Sequence, residues 1–325
     1  MADKICIIVD ASSGDSPCEV VTKGAIDALY SVEGFDILLT GEKERIGETL
    51  SKLDYPKERV NLLPADAGFP MAEKTTSIKK LLYSSIGRGL EVLREGKGDG
   101  FCSMGNTAAV VSGAVATLGR LPGVVRPALL THLPSKEGDI VFLDAGATVD
   151  AQPEVLAQFA LMGSGYAKEI LNIENPKVAL LSIGEEETKG NTASKAAYQI
   201  ISRIQGINFI GNIEGTHILT GKADVIVCDG FVGNILLKFT ESIFEVISSF
   251  YKKEDTDRCN LEEIKSRFDY SEQGGALLLG VNGVVVVGHG RSNAKAVKNA
   301  VLLTLKMVRH RILRRIGEIR WYART

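Results

Sequence analysis

Short apolar runs alternate with helical patterns from one end of this chain to the other. Ile5–Val9, Asp36–Leu39, Val60–Leu63, Gly100–Ser103, Ile140–Leu143, Val178–Ile183, Phe209–Gly211, Val225–Val227 and Val284–Val287 are predicted as strands. Several are unbroken Val/Ile/Leu stretches, the mark of strands covered on both faces in a largely parallel sheet. Between them lie segments long enough for crossover helices, among them Ser77–Glu95, Pro153–Lys168 and Thr192–Ile204. Pro153 is a good helix start, because its ring fixes φ where an N–H would go unpaired anyway. The pattern predicts one α/β unit over residues 1–325, with room for two lobes.

Two segments depart from the alternation. Residues 240–268 are predicted as a helical hairpin with a short charged tip, Lys252-Lys253-Glu254-Asp255-Thr256-Asp257-Arg258. From Lys295 to about residue 322 the spacing predicts one amphipathic helix, with Leu302, Leu305, Val308, Ile312, Ile316 and Ile319 on one side. Between Lys306 and Arg324 this stretch carries seven Lys/Arg against one acid, Glu318.

Composition narrows the class without naming a function. The chain has 325 residues, 45% hydrophobic and 24% charged, with a formal net charge of -2. No basic excess points to nucleic acid. Five scattered cysteines with no C-x-x-C pair argue against a disulfide framework or a structural zinc. No His/carboxylate cluster has metal-ligand spacing, so no metal or cofactor is expected. The first apolar run is too short for a signal peptide, and no window approaches a membrane span. A soluble, cytoplasmic protein is expected.

Ligands of an open parallel sheet bind beyond the carboxyl ends of its strands, so the segment after each strand matters most. Phe101 leads into Ser103-Met104-Gly105-Asn106-Thr107-Ala108-Ala109, and Leu143 into Asp144-Ala145-Gly146-Ala147-Thr148. Ile183 leads into Gly184-Glu185-Glu186-Glu187-Thr188-Lys189-Gly190-Asn191. Val227 precedes Cys228 and then Asp229-Gly230-Phe231-Val232-Gly233-Asn234, and Val287 precedes Gly288-His289-Gly290-Arg291-Ser292-Asn293. Glycine admits close backbone approach, Asn, Ser and Thr add neutral donors, and a following helix N-terminus offers free N–H groups. Such turns suit a small oxyanion such as phosphate; each one, taken singly, also suits an ordinary turn or helix cap. Two known phosphate motifs are excluded. Gly190 stands where a P-loop needs Ser or Thr, behind three glutamates, and Asn293 stands where a dinucleotide fingerprint needs its third glycine.

These turns, in this order, resemble the bacterial phosphate acyltransferases of phospholipid synthesis. Ser103–Ala109 is similar to that family's S-A-G-N-T-G-A. Gln158-Phe159-Ala160-Leu161-Met162-Gly163, Ile183–Asn191, Gly211-Asn212-Ile213-Glu214-Gly215, Asp229–Asn234 and Gly288–Ala296 also match. The family opens with D-A-M-G-G-D where this chain has Asp10-Ala11-Ser12-Ser13-Gly14-Asp15, and it has glycine where Ala108 stands. The resemblance implies a three-layer α/β/α, isopropylmalate-dehydrogenase-like fold, a mostly parallel sheet with a helical hairpin for dimerisation or tip contact, and a homodimer. It implies transfer of a fatty acyl group from acyl carrier protein to inorganic phosphate, with a glycerol-3-phosphate acyltransferase downstream. The alternatives are a short-chain enzyme using acyl-coenzyme A, or a non-catalytic relative that binds acyl carrier or lipid.

Such a reaction needs no nucleophilic side chain, because phosphate itself attacks; it needs orientation and oxyanion stabilisation. Phosphate and substrate binding are assigned to Ser103, Gly105, Asn106, Thr107, Asp229, Gly230, Gly233, Ser292 and Asn293. Lys189 is assigned to neutralise phosphate or the oxyanion, or else pairs with Glu185–Glu187. Asn234 is assigned to the thioester carbonyl. His289 is the candidate acid for the leaving thiol, or a plain turn histidine. The basic C-terminal stretch is a packed helix with a solvated face, a dock for the acidic carrier, or an adsorption surface for anionic lipid at the inner membrane face.

Overall fold

The computed structural model describes residues 4–73, 78–250 and 269–317. The chain divides into two compact units, Met1–Leu121 with Gln273–Leu313, and Pro122–Glu272 with Arg314–Thr325.

The first unit holds β1 (Ile5–Asp10), β2 (Phe35–Gly41), β3 (Val60–Pro64), β4 (Gly100–Ser103), β10 (Ala276–Leu279) and β11 (Val284–Val287), in the order β3-β2-β1-β4-β11-β10. All pairs are parallel except β10 with β11. Its helices include α1 (Cys18–Ser31), α2 (Lys43–Leu50), α3 (Ile78–Tyr83), α4 (Ser85–Arg94) and α5 (Thr107–Leu118). Alternation along β4 puts helices on both faces. A Cβ at Gly100 would lie 2.6 Å from Thr304, whereas the next residue, Phe101, packs on Gly89 of α4. Thr304 belongs to a later helix of this unit, Ala294–Arg309. Every residue of β4, Gly-Phe-Cys-Ser, is buried, as befits a strand covered on both faces.

The second unit holds β5 (Ala128–Ser135), β6 (Gly138–Leu143), β7 (Lys177–Ser182), β8 (Asn208–Glu214) and β9 (Val225–Val227), in the order β5-β6-β9-β7-β8. Here β5 and β6 form an antiparallel hairpin, and the other pairs are parallel. Its helices include α6 (Pro153–Ile170), α7 (Thr192–Ile201) and α8 (Gly230–Phe250). Pro153 sits at the start of α6 as expected. Gly163 lets α6 approach the sheet, since a Cβ there would meet Val225 at 2.4 Å.

Three expectations are corrected. The helix expected from Ser77 to Glu95 is two helices, α3 and α4, broken at Ser84, whose hydroxyl caps α4 by accepting the Gly87 N–H. The first arm of the hairpin begins at Gly230, ten residues before the expected 240, because Asp229 caps it; the tip, residues 252–258, lies outside the described residues. The C-terminal stretch is not one helix. After α9 (Tyr270–Gln273), α10 spans Ala294–Arg309 and α11 spans Ile312–Gly317, and Arg311 between them takes a left-handed φ of 52° that no helix continues through. Among the described residues no helix is long and apolar enough to cross a membrane.

Candidate active site

In the first unit the chain leaves β1 for β2 and β3 on one side, then returns as β4 on the other side of β1. The strand order reverses there, and the crevice at such a reversal is where doubly wound sheets bind ligands. Three turns meet at these carboxyl ends, after β1, β4 and β11. A Cβ on Gly14 would lie 2.5 Å from the Met104 carbonyl oxygen, and one on Gly288 2.1 Å from Met104 Sδ. The N–H groups of Asp15 and Ser16 both donate to the Gly290 carbonyl, at 2.9 and 3.0 Å. The Gly14 contact is one that only glycine permits, and the Gly290 carbonyl ties the first turn to the third.

Asp10, wholly buried, organises this cluster. Its Oδ1 accepts the N–H groups of Ser12 and Ser13, both at 3.2 Å, and its Oδ2 accepts the Ser103 hydroxyl at 2.6 Å. Ser103 Oγ in turn accepts the Gly105 N–H at 3.0 Å. The Ser103 hydroxyl is therefore spent inside the protein, and it shapes the loop above it. Asn106 is the cap of α5: its Oδ1 accepts the Ala109 N–H at 3.0 Å and its Nδ2 donates to the Met71 carbonyl at 2.6 Å. What faces outward is the first turn of α5, with Thr107 half-buried and Ala108 exposed. First-turn N–H groups have no partner within their own helix and carry the positive end of its dipole.

The two serines at the first turn face inward. Ser12 Oγ accepts the Glu42 N–H at 3.0 Å, and Ser13 Oγ accepts the Phe69 N–H at 3.0 Å and lies 3.1 Å from Ser85 Oγ. Neither hydroxyl narrows the crevice, and the exposed methyl of Ala108 does not fill the interior. On the third turn Ser292 is buried, its hydroxyl donating to the His289 carbonyl at 2.6 Å, and Asn293 caps α10 through Ala296 N–H at 2.8 Å. His289 Nδ1 accepts the Arg291 N–H at 3.2 Å, which leaves the proton of a neutral ring on Nε2.

In the second unit a wholly buried carboxylate plays the part of Asp10. Asp144 Oδ1 accepts the N–H groups of Leu129, Gly146 and Ala147 at 2.8–3.0 Å, and Oδ2 accepts that of Thr148 at 2.6 Å. Burial pushes its pKa up to about 6, against the pull of these four donors. The first turn of α8 presses on this residue. A Cβ at Gly230 would lie 2.7 Å from Asp144 Oδ2, and one at Gly233 only 1.8 Å from its carbonyl oxygen. Both glycines thus have a packing reason that needs no ligand. Asp229 Oδ1 is committed to the N–H groups of Phe231 and Val232, at 2.9 and 3.0 Å.

Asn234 differs from the other asparagines assigned above. It lies inside α8, is exposed, and packs beside Gly146. Lys189 is also exposed, its stem lying over Gly184, where a Cβ would be 2.7 Å from Lys189 Cγ. Among the described residues no ion pair involves Lys189. Glu185 is held instead by Lys222 at 2.5 Å and faces His217 Nδ1 at 3.0 Å, which together draw its pKa down. Asp10 and Asp144 each end a strand, a position that from the sequence suits a helix cap or a pocket-shaping carboxylate; in the structure each gathers N–H groups of the turn that follows it.

Among the described residues no group of three or more His, Cys, Asp or Glu is placed to hold a metal ion. A family described as "Fatty acid synthesis protein" matches residues 5–315. The phosphate acyltransferase of Halothermothrix orenii is 41% identical over 320 residues, covering 94% of this chain and 96% of the relative. This chain belongs to the phosphate acyltransferase family. It is accordingly an acyltransferase. The phosphate acyltransferase of Thermodesulfovibrio yellowstonii is likewise 41% identical over 323 residues, with 96% and 93% covered. Among solved structures, a phosphotransacetylase from Streptococcus pyogenes superposes with a TM-score of 0.67 at 17% identity, covering 95% of each chain. A branched-chain phosphotransacylase from Enterococcus faecalis V583 gives 0.61 at 12%, covering 94% of this chain and 99% of the other. These two likenesses place the phosphate acyltransferase fold with other mostly parallel α/β enzymes.

Proposed function

We propose that the enzyme moves a fatty acyl group from an acyl-carrier-protein thioester to inorganic phosphate, releasing acyl phosphate for glycerophospholipid synthesis. The observation that carries this reading is the locked triple turn at the strand reversal of the first unit, with the α5 N-terminus facing outward. Phosphate rests on the first-turn N–H groups and on Thr107, while Asp10, Ser103, Gly105, Asn106, Ser292 and Asn293 hold that cradle in shape. A phosphate oxygen attacks the thioester carbon, forming a C–O bond and a tetrahedral oxyanion. Collapse breaks the C–S bond, and His289 Nε2–H protonates the departing thiolate. Asn234, exposed on the helix that Asp229, Gly230 and Gly233 set, is the donor assigned to the carbonyl oxygen, and exposed Lys189 is the positive charge assigned to the anion.

Helix α8 also supports a homodimer. Phe231, Ile235, Phe239 and Val246 are 57%, 55%, 60% and 52% exposed and lie on one side of the helix. The deciding experiment mixes the enzyme with palmitoyl-carrier protein and phosphate and traps acyl phosphate with hydroxylamine. Phosphate-dependent hydroxamate is expected; turnover of acetyl-coenzyme A alone would replace this reading with the short-chain one.

A further inference from the structure

The second unit has its own strand reversal. The chain passes outward from β7 to β8 and then returns as β9 on the opposite edge of β7. A cavity of about 660 Å³ opens at the carboxyl ends of these two strands. Its walls are mostly apolar: Leu156, Leu180, Ile218, Val232 and Leu236. Its polar edge is made by Asp150, Gln152, Ser182, Asn191, Ser194 and Asp229. Asn191 Oδ1 accepts the Ser194 N–H at 2.8 Å, and Asp229 is committed to the first turn of α8. No Lys, Arg or His lines the cavity, so it does not suit phosphate. At its rim Ile183 leaves its branched side chain 82% exposed.

We propose that this groove receives the acyl chain of the thioester donor and sets the chain length the enzyme accepts. The inference rests on the acyl-transfer reading above. The volume falls in the range of small-molecule sites, roughly 300–1,000 Å³. It has room for on the order of twenty water-sized groups, which is the scale of a fatty chain. Val232 and Leu236, one helical turn apart on α8, give the groove a continuous apolar wall along that helix. The exposed stripe on α8 is a convex helix face suited to a second copy; the groove is concave and suits a narrow flexible chain. Each methylene buried in it strengthens binding by about fourfold.

Two substitutions test this. Ala193 lines the groove from the first turn of α7 and is only half-buried, so Ala193→Phe fills the space without entering the core. Ile183→Ser removes the exposed rim and leaves the fold alone. Turnover is measured with carrier protein bearing 6-, 10- and 16-carbon acyl groups, and affinity with unreactive S-hexyl and S-hexadecyl thioethers of the carrier. For Ala193→Phe the 16-carbon kcat/KM falls at least about tenfold and the 6-carbon value by less than about twofold; Ile183→Ser shows a smaller loss with the same sign. Equal losses at every length, no loss at any, or a change in oligomeric state in their place would overturn the groove assignment. If the wild-type enzyme turns over no thioester yet binds S-hexadecyl more tightly than S-hexyl carrier, and Ala193→Phe abolishes the difference, the groove stands and the acyl-transfer reading fails.

Discussion

Ser103 donates its hydroxyl to the carboxylate of Asp10 at 2.6 Å, and both residues are wholly buried. The bond ties the turn after β1 to the turn after β4, because the same hydroxyl accepts the Gly105 N–H. A charged acceptor makes it one of the stronger kinds of protein hydrogen bond, worth about 1.5–3 kcal/mol. Ser103→Ala is expected to lower unfolding free energy by about that amount. It should also raise KM for phosphate far more than KM for the acyl donor. Urea titration and initial rates at varied phosphate check both halves.

Gly233 is pinned by a different carboxylate-bearing residue. A methyl group there would sit 1.8 Å from the Asp144 carbonyl oxygen, a backbone atom that cannot swing aside. Gly233→Ala should displace the first turn of α8 and cost on the order of 3 kcal/mol or more. Gly215, with nothing within 4 Å of the same added methyl and no left-handed φ, is the control. Gly215→Ala should leave the melting temperature within about a degree or two. Thermal unfolding of the pair separates close packing from a general effect of losing glycine.

Asp144 has a pH signature. Its folded pKa is about 6 against a reference of 3.8, so between those values the folded state binds more protons than the unfolded one. Stability from this group is therefore complete below about pH 4, falls as pH rises toward 6, and is level above that. The full span is at most about 3 kcal/mol. Asp144→Asn should remove that slope. It should also lower stability throughout, because an amide offers one acceptor oxygen where four N–H groups now find two. Denaturant titrations from pH 4 to pH 8 on both proteins give the difference curve.

Much of this architecture is legible in the residues themselves, and the exceptions have physical reasons. Nine strands are legible, most of them because a Val/Ile/Leu-rich run between turn residues has few other uses. The two that were not, β5 and β10, are the antiparallel partners of β6 and β11. Ala128–Ser135 contains His132 and Pro134, and Ala276–Leu279 is Ala-Leu-Leu-Leu, which reads equally well as helix. The break at Arg311 was hidden because apolar spacing continues on both sides of it. Among the turns, position was readable and role was not. Gly105-Asn106, Gly190-Asn191 and Gly233-Asn234 look alike in sequence, yet the first two asparagines cap helices and the third lies within one. The difference is Asp229, which takes the cap five residues earlier and carries Asn234 into the second turn.

That distinction makes the last prediction. Asn191 spends its side-chain oxygen on the Ser194 N–H at 2.8 Å, so Asn191→Ala should cost about 1 kcal/mol of stability and little else. Asn234 is exposed in the middle of a helical run, where alanine is a better helix former. Asn234→Ala should therefore leave stability unchanged or slightly raised. If its amide donates to the thioester carbonyl, kcat should fall by about 10²–10³ with KM nearly constant, as for loss of one oxyanion donor. The two variants thus move opposite observables, melting temperature for one and kcat for the other. An Asn234→Ala enzyme with unaltered kcat would return Asn234 to the status of an ordinary surface residue, and the carbonyl donor would have to be a backbone N–H at one of the strand ends.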